Sequence, residues 1–244
     1  MPQPLPQLSG RLAWWFTSWS RGLASPDDLL THVVADDVAH DVAGLPDAEG
    51  ATVPLVLALP RLRLLGASAG LALPVPGAPT GLGGPAEFNR AATEVGEAVV
   101  LEGGGFGLVP FRAGPGVVWQ LLGAHRRQLT DLGEAARQLR GTLARTATTL
   151  ADLDVARWRP EAADELMNLR HLPHLDAPAG VPADAVELAA RAWQAESIVD
   201  LALLDDGGAV SAHEIGARRE ALSPLARAAR TAMVAACSPE VWPP

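Results

Sequence analysis

Between residues 129 and 153, apolar or small side chains recur in alternating steps of three and four without a miss. Leu129, Leu132, Ala136, Leu139, Leu143, Thr146, Leu150 and Leu153 fall on one stripe of a helix, at a period near that of a coiled coil. A strand cannot gather such a set on one face, so this region must be a long helix. A stripe only two positions wide in seven suits a helix partner better than a broad sheet face. Ala183–Leu204 supplies one within the chain, being apolar on more than one side and carrying Trp193. The expectation is an intramolecular bundle, with Leu139 and Leu143 buried mid-seam. The inward set expected on the partner is Val186, Ala190, Trp193, Leu201 and Leu204.

The chain before this seam reads differently. Residues 1–7 are rich in Pro and Gln and read as loose. Leu8, Leu12, Trp15 and Trp19 give helical spacing over about 8–23. Ser25-Pro26-Asp27-Asp28 is a helix start: a capping hydroxyl, a proline at the first position, and acids at the positive helix end. Residues 38–45 read as a strand rather than a continuation of that helix. Residues 53–65 read either as a helix, from the spacing of Leu55, Leu59, Leu62 and Leu65, or as two short strands, because Pro60 disfavours a helix. A strand is expected at Ala69–Pro76 near a sheet edge, where Pro74 and Pro76 break its ladder. A Gly/Pro loop and a helix at Pro85–Glu97 follow. Strands at Ala98–Glu102, Phe106–Phe111 and Gly116–Leu122 come next, the first two joined by the hairpin turn Gly103-Gly104-Gly105. Beyond 153, a short helix is expected at Pro160–His171 and a turn at Asp205–Gly208. Ser211 and Glu214 form a capping box for a last helix, kinked or divided at Pro224 and reaching about Cys237.

The fold class is therefore α+β: a mixed α/β region over 1–122 with a small sheet, packed against a helical bundle region over 123–244. The two regions can share one core, since no long linker divides them.

Composition narrows the function classes. The net charge is −9, which disfavours nucleic acid and anionic lipid as partners. All 19 basic residues are Arg, and Tyr is absent. A Schiff-base lysine, a lysine phosphate loop and a phenolic acid or base are thereby excluded. Cys237 is the one cysteine, so neither an internal disulfide nor a cysteine zinc cluster can form. No membrane span, no cofactor and a cytoplasmic location are expected.

Five patterns invite a functional reading. Gly66-Ala67-Ser68-Ala69-Gly70 matches the G-x-S-x-G elbow of serine hydrolases, and Asp206 with His213 would complete the chain order. An elbow needs a strand before its serine and a helix after it; here a helix-like run precedes Ser68 and a strand follows, so Ser68 is expected to be structural. His32, Asp36 and His40 would line one face as metal ligands if a single helix ran through them, and the strand expected at 38–45 would break that stack. His171, His174 and Asp176 form a weaker set in a loop. Gly77–Gly84 precedes a helix N-terminus, yet Glu87 in the first turn would repel a phosphate. Trp14, Trp15 and Trp19, with Phe16, read as core or as an aromatic face that meets a partner.

The stretches Leu71–Asn89, Asp154–Pro160 and Asp205–Ala212 resemble a conserved-hypothetical protein family of actinobacteria. That resemblance implies a bacterial cytosolic protein and brings no activity, cofactor or site. The leading expectation is a non-catalytic regulatory or protein-interaction protein. The alternatives are a serine hydrolase using Ser68, Asp206 and His213, and a small-ligand-binding domain with its pocket between the sheet and the helical half.

Overall fold

A computed structural model describes residues 2–152, 171–204 and 212–243. The helices are α1 (Leu8–Ser20), α2 (Pro26–Val34), α3 (Leu55–Leu65), α4 (Ala86–Val95), α5 (Leu132–Asp152), α6 (Ala183–Leu204) and α7 (Ala212–Ala236), with a short 3₁₀ turn at Pro239–Val241. The strands are β1 (His40–Ala43), β2 (Val53–Pro54), β3 (Ala69–Ala72), β4 (Ala98–Leu101), β5 (Phe106–Ala113) and β6 (Gly116–Gly123). They form one sheet in the order β2-β1-β6-β5-β4-β3. Only β1 and β6 run parallel; the other neighbours are antiparallel. The sheet thus lies wholly in the first half of the chain and the second half is helical.

The central strands are apolar on both faces because both faces are covered. Val99, Leu101 and Leu108 meet Leu12, Phe16, Leu29 and Leu59 from α1, α2 and α3. Ala98, Val100 and Val109, the alternate positions, meet Phe88 and Ala92 of α4. Helix α2 starts as its sequence dictates, with Ser25 and Asp28 capping one another reciprocally. Helix α1 lacks a side-chain cap at Gln7. Its Ser9 amide instead donates to Glu97 across 2.7 Å. Burial pushes the Glu97 carboxyl up, against the pull of those helix-end hydrogen bonds and of Arg11.

Residues 53–65 resolve into β2 and a helix that accommodates Pro60. The proline lies on the exposed side, where water can take the Val56 carbonyl that its ring leaves without a donor. The N-terminal residues are docked, not loose. Gln3 donates its amide to the His174 carbonyl (2.8 Å) and accepts from the Asp176 amide (2.8 Å), while Leu5 is buried among side chains of the helical half. Pro224 stays inside a continuous α7. The short helix expected at 160–171 and the capping box at 211–214 lie outside the residues and side chains described.

The long seam packs mainly on α7, with α6 a lesser neighbour. Leu132, Leu139 and Thr146 are buried, whereas Ala136 and Leu143 are half-buried. Of the inward set expected on α6, Ala190 is buried and Val186, Trp193 and Leu201 are half-buried, while Ala185, Leu188, Ala189, Ala192, Ala195, Val199 and Ala202 complete its buried face. These are mostly alanines, and they meet Ala229, Ala232 and Ala236 of α7 in one cluster. Methyl-sized side chains let two helix backbones approach closely, an advantage that ranking positions by hydrophobic bulk does not register.

Leu139→Ala should cost about 2–5 kcal/mol and Leu143→Ala less, since only the first is fully buried. Arg140→Ala, off the seam and exposed, should stay within about 0.5 kcal/mol. Equilibrium urea unfolding of the three variants checks the ranking. An oligomer turned to monomer by a leucine variant of unchanged stability would place the seam between chains.

Candidate functional site

The edge strand β3 and the linker from β6 to α5 meet at one side chain, Arg127. Ala69 and Leu71 turn their backbone groups away from β4, as every second residue of an edge strand must. Four acceptors and donors cover them. Thr17 Oγ1 accepts the Ala69 amide (3.0 Å) and donates to the Ala69 carbonyl (3.2 Å). The Leu71 amide donates to the Cys237 carbonyl (3.1 Å). The Leu71 carbonyl accepts from Arg127 Nη1 (2.6 Å).

Arg127 uses all five of its N–H donors. Nη1 also reaches the Gly81 carbonyl, at 3.1 Å. Nη2 donates to Ser238 Oγ (3.0 Å) and Glu240 Oε2 (3.1 Å), and Nε donates to Glu240 Oε1 (3.0 Å). The guanidinium is buried, and its bidentate carboxylate partner supplies the compensating charge. It passes close to Gly70, where a β-carbon would stand 2.0 Å from Nη2. Gly66 is equally constrained, because a β-carbon there would stand 2.8 Å from the β-carbon of Leu101. Close approach therefore requires both glycines of the Gly66–Gly70 pattern.

Ser68 sits between them on the turn from α3 into β3. It is buried, and its hydroxyl donates to the Glu102 carboxylate. Asp206 lies outside the described residues. His213 belongs to α7, and its side chain lies outside the description too. The Gly77–Gly84 loop backs onto the linker, since a β-carbon at Gly83 would stand 2.5 Å from the Arg126 carbonyl.

The histidines separate. Helix α2 ends at Val34 and β1 begins at His40, so His32, Asp36 and His40 do not stack. His40 is buried with both ring nitrogens engaged. Trp119 Nε1 donates to Nδ1 (3.3 Å), which leaves Nε2–H to donate to Asp37 (3.0 Å). Burial lowers the His40 pKa, against the raising effect of Asp37, and so favours this neutral tautomer. Burial would raise the Asp37 carboxyl, but hydrogen bonds from His40 and Arg112 outweigh it and hold it low. His32 instead faces two acceptors, the Asp28 carbonyl (2.7 Å) and Asp176 (2.9 Å). It also stacks on Trp15 at 3.8 Å between ring centroids. Asp36 is exposed. The aromatic cluster packs inward at Trp14 and Trp15, both buried, the former donating its indole N–H to the Ala236 carbonyl (3.1 Å). Trp19 is partly covered by Phe16 and by the guanidinium of Arg63. An indole with one edge to satisfy fits such a boundary between sheet helices and bundle.

Beside Arg127, a cleft of about 1230 Å³ opens at the junction of sheet and helical half. Val100, Leu129 and Val241 supply apolar wall; Glu102, His125 and Arg126 bring polar groups to it. Arg126 and His125 are exposed, unlike Arg127. These residues were passed over in the sequence, although His125-Arg126-Arg127 at a strand-to-helix junction was the available signal. A second cavity, about 790 Å³, runs between α5 and α6 and is lined by Leu132, Ala136, Leu143, Leu188 and Trp242 among others.

The chain matches the model of the Rv1486c-like protein N-terminal domain over residues 9–132 and that of the Rv1486c-like protein C-terminal domain over residues 133–234. One relative is "Uncharacterized protein Rv1486c" of Mycobacterium tuberculosis (strain ATCC 25618 / H37Rv), 30% identical across 95% of this chain and 97% of its own length. Another is "Uncharacterized protein MT1533" of Mycobacterium tuberculosis (strain CDC 1551 / Oshkosh), 29% identical across 95% of this chain and 97% of its own length. No solved structure matches the chain.

Arg127→Ala strands the Leu71 and Gly81 carbonyls and leaves Glu240 without its counter-charge, so it should cost about 3–5 kcal/mol. Gly70→Ala should also destabilise by displacing the guanidinium, whereas exposed Arg126→Ala should cost about 0.5 kcal/mol or less. Urea midpoints of the three variants test this, and a parental midpoint for Arg127→Ala would contradict it.

Proposed function

Since the chain belongs to the Rv1486c-like protein family, matched along both of that family's domains, we propose that it is a non-catalytic binding protein, with the junction cleft as its site. The observation that carries this reading is the cleft itself, where apolar wall and convergent polar groups occur together at the meeting of two structural regions. The ligand is a small polar molecule with an anionic group. The exposed cations Arg126 and His125 would hold that group, and Glu102 would accept from a ligand hydroxyl or ammonium. The engagement of the Ser68 hydroxyl by a carboxylate, rather than by an imidazole, supports a non-catalytic role.

A second reading rests on the α5–α6 groove. Its lining runs from Asp131, just before α5, to Leu143, about 18 Å or three turns. Charged Arg140, Asp184 and Arg191 stand among the lining residues. That length and composition suit the apolar face of an amphipathic helix from a protein partner. Leu143→Glu would abolish such binding and leave the cleft untouched.

Thermal unfolding in a panel of small anionic metabolites tests the first reading. A ligand at a hundred times its Kd should raise Tm by about 5–10 °C in the parent and give no shift in Arg126→Ala, whose own Tm stays parental. Shifts that survive Arg126→Ala and His125→Ala together, or none across the panel, would defeat it. Separately, a fluorophosphonate probe should leave Ser68 unlabelled; stoichiometric labelling lost in Ser68→Ala would restore the hydrolase.

A further inference from the structure

The N-terminal segment is tied to the helical half at Gln7. Gln7 Nε2 donates to Glu196 Oε2 of α6 at 3.2 Å. The other atom of that amide, Gln7 Oε1, is buried and has no hydrogen-bond partner among the described residues; Arg230 Nε, on α7, is likewise buried without one among them. Leaving a buried amide oxygen unpaired is costly. Asp200 on its own helix and the thiol of Cys237, just past α7, also lie near Glu196.

We propose that Glu196 and Gln7 form a proton-operated latch that fastens residues 2–7 to the helical half. With a proton on Glu196, its O–H donates to Gln7 Oε1 while Gln7 Nε2 donates to the other carboxyl oxygen. The two side chains then form a two-bond acid–amide pair in which the orphaned oxygen is satisfied. When the proton leaves to solvent, one bond is lost, Gln7 Oε1 is unpaired, and the carboxylate is drawn to Arg230. No other covalent change is involved. Among the described residues the segment's further ties are the backbone pairing of Gln3 with 174–176, the hydrogen bond from Arg11 Nε to the Leu5 carbonyl and the burial of Leu5, so this pair is a sizeable share of its attachment to the helical half.

The electrostatics agree with the geometry. Burial pushes the Glu196 carboxyl up to about 7, with Asp200 reinforcing the shift while Arg230 and the Gln7 hydrogen bond oppose it. Burial also pushes the Cys237 thiol far up, so it stays neutral and adds no competing titration near pH 7. A carboxyl that is raised when latched and ordinary when released takes up a proton on latching. Attachment is therefore strongest at acid pH, weakens as pH rises from the released value toward 7, and is constant above it.

Hydrogen exchange read by mass spectrometry on peptides covering residues 3–8, corrected for intrinsic rates, tests the latch. Protection should fall about tenfold per pH unit between about pH 5 and 7 and then level off. Glu196→Gln keeps two amide hydrogen bonds without a titrating proton, so its protection should not vary with pH. Gln7→Ala should lower protection at pH 5.5 toward the level the parent shows at pH 8. A flat parental profile, a parental slope retained in Glu196→Gln, or full protection at pH 5.5 in Gln7→Ala would each overturn the proposal.

Discussion

A buried guanidinium joins the two halves of this protein. Arg127 binds the edge strand of the sheet, the Gly/Pro loop and the turn after the last helix at once. A cation in that position is tolerable only because every donor is met and Glu240 supplies the opposite charge. The geometry around it follows from that requirement: Gly70 must be glycine, Leu71 must offer its carbonyl, and the chain after α7 must turn back to bring Ser238 and Glu240 alongside.

The apolar packing runs across the same junction. Leu71, Leu73 and Trp14 from the first half lie in one cluster with Leu188, Leu225 and Met233 from the second. Helix α1 makes this possible by burying two faces. Trp15 and Phe16 go to the sheet side and Trp14 to the bundle, which explains why three tryptophans crowd thirteen residues.

Local features of the sequence were legible because their causes are local. The helix start at Ser25, the hairpin strands, the edge position of β3 and the long seam each follow from neighbouring residues of one stretch. The features that escaped depend on distance along the chain. The partners of Arg127 lie 46, 56, 111 and 113 residues away, so nothing near it announces a buried ion pair. Ala190 apart, the fully buried positions of α6 escaped because alanines pack well only against other small residues, and α7 supplies those from outside the window. Pro60 looked like a helix breaker, and its harmlessness depends on which side of α3 faces water. For the site, the serine pattern was visible but its glycines answer to packing. The polar residues of the cleft converge only once the sheet and the helical half are together.

The outer edge of β3 is covered in two instalments. Thr17 is synthesised before the strand and can cap Ala69 as soon as α1 and β3 meet. The cover for Leu71 comes later, with Arg127 emerging 56 residues afterwards and Cys237, whose carbonyl accepts from the Leu71 amide, only after α7. A growing chain therefore carries part of an open strand edge until Cys237 has been made. Such an edge is a template for pairing with a neighbouring nascent chain. Its shortness, four residues interrupted by Gly70 and followed by Pro74, limits that hazard until the last helix arrives. Brevity of the strand and lateness of its cover are thus two sides of one constraint on the order of translation.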